Sequence, residues 1–306
     1  MSGTAADRLA LVGRLAILAR ALEARGAYNG GKLLRAAMDA ELTRLALAEA
    51  TTDEELLGSL EQVTELLAES GTGRGVAARL PSVIAAVRDD GIVSLEAAPR
   101  SHVCRMCGEL FLGDPPVACP TCEAPATAFR EHVPTWFLEP MAPADVLDEL
   151  AAGAARVAAV IGGRDDESLA RVPQPGEWSA RDTLDHLLGT EAILAGRIAR
   201  MLTEDEPDVA AVTVGDVGPP SDEGPGASAA AASRLLAEFL AAREGTIARL
   251  KALGDNDWNR SGRHPEWGRV TIRSQAAYFA RHQASHAAQL AAAAEGRVPG
   301  QRLPGR

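Results

Sequence analysis

Apolar residues recur at intervals of three and four positions along most of this 306-residue chain, which is the period of a helix that buries one face. The pattern begins near the start, for example at Leu15, Leu18 and Leu22. In the first part of the chain we expect helices over residues 5–25, 32–50 and 51–70, separated by an Asn-Gly-Gly break at 26–31. A fourth helix follows the glycine-rich turn at 71–75, and Pro81 marks its start or a kink.

Four further helices are predicted in the second half of the chain. They run over residues 143–161, 179–202, 228–253 and 271–295, with Ser179 and Thr271 as N-cap residues. The acidic, proline- and glycine-rich segment 203–227 is predicted to be a flexible connection, and 257–268 a loop. The pattern as a whole predicts a mainly α protein.

Composition agrees with this class, because apolar residues reach 46%, aromatic residues only 4%, and alanine is heavily used. The formal net charge is −11 and the pI is near 5.1, without a basic run. This charge disfavours nucleic acids and anionic membranes as partners. No apolar run reaches membrane-spanning length, and the first residues lack the pattern of a secretion signal. We therefore expect a cytoplasmic protein of two or three domains.

The only cysteines of the chain form two CxxC pairs, Cys104 with Cys107 and Cys119 with Cys122. Each pair places two thiolates on one small turn, and two such turns facing each other make a tetrahedral four-sulfur cage. Two disulfides, or four unrelated reduced cysteines, are the alternative. The short paired spacing and the absence of secretion features favour a metal site.

Residues 103–129 around these cysteines resemble the rubredoxin-like knuckle at the C-terminal end of rubrerythrins. The ending Cys-Pro-x-Cys-x-x-Pro-x-x-x-Phe matches at Cys119, Pro120, Cys122, Pro125 and Phe129. The resemblance implies four sulfur ligands but leaves the metal open, because such sites accept either Zn or Fe. A segment this short cannot bury enough core to fold alone, so its metal would supply the missing stability.

Rubrerythrins carry a di-iron helical bundle ahead of their knuckle, and a di-iron bundle needs Glu-x-x-His pairs on two helices. This chain has no histidine before His102, so residues 1–98 lack that pattern. We expect Glu41, Glu49, Glu61 and Glu65 to lie on solvated faces. This part is predicted to be a helical interaction or scaffold domain that resembles no family.

On the last predicted helix, His282 and His286 are four positions apart. Histidines at this spacing project from the same face and can chelate one ion. Taken alone, the pair is also compatible with two ordinary histidines in the C-terminal half of a helix.

The motifs around this histidine pair favour a metal site over two ordinary helix histidines. In the second predicted helix and the loop before it, Pro-Gly-Glu-Trp-Ser at 175–179 is followed by Leu-Asp-His-Leu at 184–187. The final loop contains Asp-Trp at 257–258, Gly-Arg-His-Pro at 262–265, Trp-Gly at 267–268 and Val-Thr at 270–271. The last helix then contains His-x3-His-x2-Gln at 282–289. In this order and at these separations the motifs resemble the DinB-like, damage-inducible family of four-helix bundles. The resemblance covers about half of the chain and implies an up-down-down-up bundle.

The resemblance also implies a metal site. In such proteins one histidine of the second helix and two of the last bind a divalent ion, with remaining positions open to water or substrate; here these are His186, His282 and His286. Zn, Ni, Fe or Mn would suit three imidazoles, and the bound ion would be strongly Lewis acidic. Many relatives have another histidine where this chain has Ser285, which should leave the ligand set intact. Glu191 could orient a ligand, act as a catalytic base, or be a buried polar partner in the bundle.

Other histidines and tryptophans are expected to be structural. His264 is predicted to pack within its loop, and His102 and His132, which flank the cysteine pairs, are predicted to face solvent. Trp178 and Trp267 are interpreted as core anchors rather than as a cage for a ligand.

Three domains are therefore predicted: residues 1–98, 99–135 and 136–306. The DinB-like resemblance suggests a metal-dependent thiol-using transferase or isomerase, or a hydrolase, acting on a low-molecular-weight thiol or another small molecule, and it implies that the protein can form a homodimer. Fold analogy alone does not supply the reaction. The alternatives are an electron-transfer or redox-sensing protein with an iron-loaded four-cysteine centre, and a metal-stabilised interaction protein with the knuckle as a rigid joint.

Overall fold

The computed structural model describes residues 4–47, 52–71, 73–89, 93–212 and 231–298. Contacts along the chain group into two compact units, Met1–Asp89 and Asp90–Arg306. The finer division into three domains stays a prediction. The described part is mainly helical, as the sequence predicts, and none of its helices is long and apolar enough to cross a membrane.

The first unit contains five helices within its described residues: α1 (Ala5–Ala24), α2 (Tyr28–Leu47), α3 (Asp53–Glu69), α4 (Arg74–Ala77) and α5 (Leu80–Arg88). The first two pack together as a hairpin, while α3 packs on α4 and α5. Pro81 lies in the first turn of α5 and marks a helix start rather than a kink.

The predicted break at 26–31 is too long, because α2 already begins at Tyr28. Only Gly26 adopts a left-handed conformation, with φ of +77°. Gly31 lies inside α2, where a Cβ atom would come within 2.8 Å of Glu23 Cγ and 3.2 Å of the Ala19 carbonyl oxygen. The glycines therefore serve close packing of two helices, and this outweighs their low helix propensity.

The glutamates predicted to be solvated lie on helix surfaces where the structure describes them. Glu61 and Glu65 are exposed, and Glu61 pairs with Arg88. Glu41 is half-buried and pairs with Arg8 and Arg44. Glu49 lies outside the described residues.

The second unit begins with a three-stranded antiparallel sheet of β1 (Ser101–Cys104), β2 (Leu110–Leu112) and β3 (Phe129–His132), in the order β2-β1-β3. Val103 of the central strand lies opposite Leu110 on one side and Arg130 on the other. The two cysteine turns lie between these strands. The phenyl rings of Phe111 and Phe129 meet edge to face at 5.1 Å and pack beside the cysteines.

The rest of the second unit is a helical bundle. Its helices are α6 (Pro143–Ile161), α7 (Asp166–Ala170), α8 (Ala180–Thr203), α9 (Ala232–Lys251), α10 (Asp255–Trp258) and α11 (Ile272–Ala294). Ser179 and Thr271 form capping boxes with Asp182 and Ser274, which fixes the starts of α8 and α11 where the sequence predicts them.

Helix directions follow from the two apolar clusters of the bundle. One cluster combines the start of α6, the ends of α8 and α9, and the start of α11; it includes Val146, Ile198, Leu250 and Ile272. The other combines the opposite ends, with Ile161, Leu184, Leu235 and Leu290. The four long helices therefore run up, down, down and up, as predicted. Both α6 and α8 pack on α9 and α11.

Two predicted irregular segments have structure. Within 203–212, Val209 is fully buried in the first apolar cluster, so this stretch packs on the bundle instead of connecting it loosely. A Cβ atom on Gly262 would come within 2.4 Å of Val209 Cγ1, which explains how the segment fits. The remainder of the predicted flexible connection, 213–227, lies outside the described residues.

The predicted loop at 257–268 is also wrong. It contains the end of α10 and an antiparallel hairpin of β4 (Ser261–His264) and β5 (Gly268–Thr271). Strands of four residues are too short to show a clear alternation of polar and apolar residues. Gly268 has a φ of +72°, which allows the tight turn between them.

Candidate metal centres

Four cysteine sulfurs converge at the end of β1. Cys104 Sγ lies 3.7 Å from Cys122 Sγ, and Cys107 Sγ lies 3.6 Å from Cys119 Sγ, so no disulfide joins them. All four sulfurs lie within 4.8 Å of one another. Sulfurs held tetrahedrally at about 2.3 Å from one ion are about 3.8 Å apart, so the four cysteines fit a single metal.

The two cysteine turns have the same backbone hydrogen bonds. The Gly108 amide donates to the Cys104 carbonyl over 2.9 Å, and the Glu123 amide donates to the Cys119 carbonyl over 2.8 Å. Both Gly108 and Glu123 have positive φ, at +84° and +59°. Glycine is permissive there, whereas a glutamate is unusual in this conformation. The chain therefore keeps the second turn closed against a backbone cost, as expected where a site constrains it.

Amide groups around the sulfurs stabilise thiolate. Burial raises the pKa of the Cys104 thiol, but amides of Cys107 and Met106 directed at its sulfur, with neighbouring thiols, lower the pKa to about 7. The Glu109 amide favours a thiolate at Cys107, but burial and the other three sulfurs raise the pKa of that thiol to about 12. Thiolates this close together repel one another, and a bound cation would offset that repulsion.

His102 does not face solvent, contrary to prediction. Its side chain is only 3% exposed, because alternation along β1 places it on the same side as Cys104. Its Nε2 lies 3.9 Å from Glu131 Oε2. His132, at the end of β3, is exposed as expected.

The second cluster combines one histidine of α8 with two of α11. His282 Nε2 lies 3.1 Å from His286 Nε2 and 3.5 Å from His186 Nε2, although His186 is 96 residues away in sequence. Imidazole nitrogens held tetrahedrally at about 2.0–2.1 Å from one ion are about 3.3 Å apart. The three predicted histidines are therefore together, with a geometry that fits one metal.

The imidazoles of His186 and His282 are neutral at physiological pH. Burial, together with the neighbouring His286, lowers the pKa of His186 to about 3. Burial and the two other imidazoles lower the pKa of His282 to about 2. Each of these two rings therefore has a free lone pair, which is the form that binds metal.

The tautomer of His286 is set by its neighbour Gln289. Gln289 Oε1 lies 2.8 Å from His286 Nδ1, and an amide oxygen only accepts hydrogen bonds. His286 Nδ1 therefore donates, which leaves the Nε2 lone pair directed at His282 and His186. Such support by a second residue is usual for histidine ligands.

Aromatic side chains surround the three histidines. Trp178 packs on His186 and His286 with ring centroids at 4.9 and 6.2 Å, and Tyr278 stacks on His282 at 5.7 Å. Phe137 meets His282 edge to face at 6.4 Å. The sequence suggests that Trp178 is a core anchor. In the structure it is half-buried and packs against the histidine cluster instead.

Glu191 is fully buried in the middle of the bundle. Its Oε2 accepts from Arg243 Nε at 2.8 Å and lies 2.5 Å from Arg243 Nη2. The guanidinium of Arg243 also donates to Gln283, the residue after His282. Glu191 is thus the buried polar partner that the sequence allowed. Its role as a base or ligand-orienting group stays a prediction.

Sequence reasoning missed Arg243 and Gln283. The signal for Arg243 was available, because it interrupts the apolar positions Phe239, Ile247 and Leu250 of α9 just as Glu191 interrupts those of α8. Two opposite charges, each on the apolar face of its helix, predict a buried pair.

His264 packs within its hairpin, as expected. Its Nδ1 accepts from the amides of Glu266 and Trp267 at 3.3 and 3.2 Å, and its ring stacks on Trp267 at 4.1 Å. Burial, together with the positive charge of Arg197, lowers the pKa of His264 to about 4. Trp267 in turn packs against the first apolar cluster.

Fold and site together define an up-down-down-up four-helix bundle with three converging histidines. The sequence profile of the DinB superfamily matches residues 149–290, a segment that contains all three. This part of the chain is therefore a DinB superfamily domain. The match begins after the four-cysteine segment, whose likeness to the rubredoxin-like knuckle stays a resemblance.

Two proteins of Bacillus subtilis are similar to this domain. The uncharacterized protein YuaE of strain 168 is 26% identical over 136 residues, which cover 42% of this chain and 84% of YuaE. YfiT, a probable metal-dependent hydrolase with an unusual four-helix bundle topology, has a solved structure that matches with a TM-score of 0.42 and 20% identity. That match covers 49% of this chain and 86% of YfiT.

Proposed function

We propose that the DinB superfamily domain is a metal-dependent enzyme in which His186, His282 and His286 hold one divalent ion. The observation that carries this proposal is the convergence of three imidazoles, with the Nε2 atom of His282 3.1 Å from that of His286 and 3.5 Å from that of His186. A divalent ion bound there supplies a Lewis acid that lowers the pKa of a coordinated water or thiol. Three protein ligands leave positions for such a group.

The substrate class we propose is a low-molecular-weight thiol, used in a transfer or isomerisation reaction. Glu191 supports this choice, because Oε2 of its carboxylate is paired with Arg243 deep in the bundle. A thiol needs less help from a catalytic base than water does, since its ordinary pKa is near 8.5. The aromatic rings of Trp178 and Tyr278 offer apolar surfaces for the rest of a small molecule.

An activity screen on the metal-loaded protein tests this proposal. Thiol transfer to an electrophilic acceptor should be detectable, should require the metal, and should be lost in His282→Ala. Hydrolysis of ester or amide substrates without any thiol reaction would instead make the domain a hydrolase. Absence of both activities in a protein that binds one equivalent at the histidines would contradict an enzyme role.

For the four-cysteine segment we propose a structural metal. Its buried cluster contains only Cys104, Cys119 and Ala124, with Phe111, Ala128 and Phe129 partly buried beside it. So small a core needs a metal to fold. Zinc would leave the protein colourless, whereas iron would give a red centre and favour the electron-transfer alternative. The visible spectrum of the purified protein separates the two.

A further inference from the structure

The first unit has almost no core. Among its described residues, the only buried apolar side chains are Ala19, Ala77 and Ile84. Most exposed large apolar side chains of the described chain lie in this unit instead. Burial of apolar surface is the main favourable contribution to folding, and contiguous exposed apolar surface marks an interaction site. These helices therefore require a partner surface.

One exposed stripe lies on α1. Leu11 and Leu18, two helical turns apart, are 44% and 53% exposed. Arg14 lies between them on the same face, three positions after Leu11 and four before Leu18. The face of α1 that contains Ala19 is already used against α2, because Gly31 approaches the Ala19 carbonyl. The stripe is thus apolar, flanked by a basic residue, and not covered by the hairpin partner.

A second exposed stripe lies on α3. Leu56, Val63 and Leu66 are 37%, 44% and 66% exposed and recur at intervals of seven and three, which places them on one face. Glu69 lies three positions after Leu66, beside the edge of that face. No extensive contact joins α1 or α2 to α3, α4 or α5 among the described residues, so both stripes are uncovered within the unit.

The two stripes belong to elements of opposite net charge. Residues 4–47 contain seven basic and four acidic residues, a net charge of +3, whereas α3 contains six acidic residues and no basic one. Two basic hairpins facing each other would repel, while a basic hairpin and an acidic α3 attract. A second copy of this chain offers both surfaces at once, and a two-fold axis would repeat the same contact twice.

We infer that two copies of this chain associate through their first units, with the Leu11–Leu18 stripe of one copy packed on the Leu56–Val63–Leu66 stripe of the other. The contact is of the coiled-coil kind, in which apolar residues that recur every seven positions meet between helices. The basic charge of the hairpin and the acidic charge of α3 favour this pairing over that of two like stripes.

Sedimentation velocity of the full chain over a range of concentrations tests this inference. The wild type should be a dimer, and Leu18→Glu or Leu66→Glu should weaken dimerisation by about tenfold or more, because each replaces a buried leucine with a charge. Leu9→Glu is the matched control: Leu9 is 57% exposed but lies on the opposite side of α1, nine residues from Leu18. This variant should remain dimeric.

A second comparison distinguishes pairing with α3 from general disruption. Leu18→Lys should weaken the dimer less than Leu18→Glu, because the residue meets an acidic helix. A monomeric wild type, or a dimer that Leu18→Glu and Leu66→Glu leave unchanged, would overturn the inference. The second result would place dimerisation in another part of the chain. Equal weakening by Leu18→Lys and Leu18→Glu would overturn the pairing of α1 with α3.

Discussion

The Nδ1 nitrogen of His286 lies 2.8 Å from Oε1 of Gln289, one turn further along α11. Because the amide oxygen accepts, this bond keeps the proton on Nδ1 and presents the Nε2 lone pair to the other two histidines. Gln289 therefore orients the ring of a proposed metal ligand. The histidine cluster thus contains three converging imidazoles and, in addition, a hydrogen bond that sets the tautomer of one of them.

Replacing Gln289 should weaken metal binding while leaving the three ligands in place. We expect Gln289→Leu to lower the affinity of the histidine site about 10- to 100-fold, because the tautomer and ring orientation of His286 lose their support. Gln289→Glu should bind metal at least as well as wild type, since a carboxylate also accepts from Nδ1. Competition titration with a metal-sensitive chelator measures both. Ser285→Ala, on the same helix turn, is the control, and equal affinities for Gln289→Leu and wild type would contradict the assigned role.

The buried pair of Glu191 and Arg243 should be sensitive to loss of one partner. We expect Arg243→Met to destabilise the bundle by about 3–5 kcal/mol, because it leaves a carboxylate buried without its counter-charge. The double change with Glu191→Leu should cost clearly less. Denaturant unfolding followed by circular dichroism measures these differences. The control is Glu238→Gln in the exposed pair with Arg234, for which about 0–1 kcal/mol is expected; a similar effect at both pairs would count against a buried pair.

Acidification should destabilise the bundle partly through His264. The pKa of His264 is about 4 in the folded state and 6.5 ordinarily. Between these two pH values its imidazole is therefore protonated in the unfolded chain and neutral in the folded chain. The resulting stability is present above pH 6.5 and is lost as the pH falls from 6.5 towards 4. Unfolding curves at pH 7 and pH 5 should therefore diverge more for wild type than for His264→Asn. Parallel losses in both proteins would show that His264 is not the titrating group.

The four-cysteine segment should depend on its metal for structure. We expect Cys119→Ser to release that metal and to open the amide groups of residues 101–132 to hydrogen exchange, because the segment has too little apolar core to fold without it. Protection in α8 and α11 should stay as in wild type. Exchange measured by mass spectrometry reports both regions. Unchanged protection around Cys104 in the metal-free variant would argue against a structural metal.

The sequence predicted helices well where local chemistry marks their ends. Ser179 and Thr271 are capping residues, and the helices begin beside them. It failed where tertiary packing overrides local preference: Gly31 is inside a helix because α1 comes close, and Val209 is buried although its segment resembles a linker. Such effects depend on which elements become neighbours, and periodicity does not report that.

For the site too, features within one element were predicted from the sequence, whereas contacts between distant elements were not. Spacing alone predicted that His282 and His286 share a helix face, and paired CxxC spacing predicted the cysteine cluster. The partnership of His186 with residues about a hundred positions later came only through the family resemblance. His102 was misplaced because a strand of four residues was not recognised, and the alternation that buries it beside Cys104 was therefore missed.

Metal content measured by inductively coupled plasma mass spectrometry tests the central claim most directly. It compares the full wild-type chain with a variant in which His186, His282 and His286 are all replaced by alanine. Two metal equivalents per chain are expected for the wild type and one, held by the cysteines, for the variant. Single changes at His282 or His286 should have the same effect. Equal metal content in wild type and variant would contradict the three-histidine site.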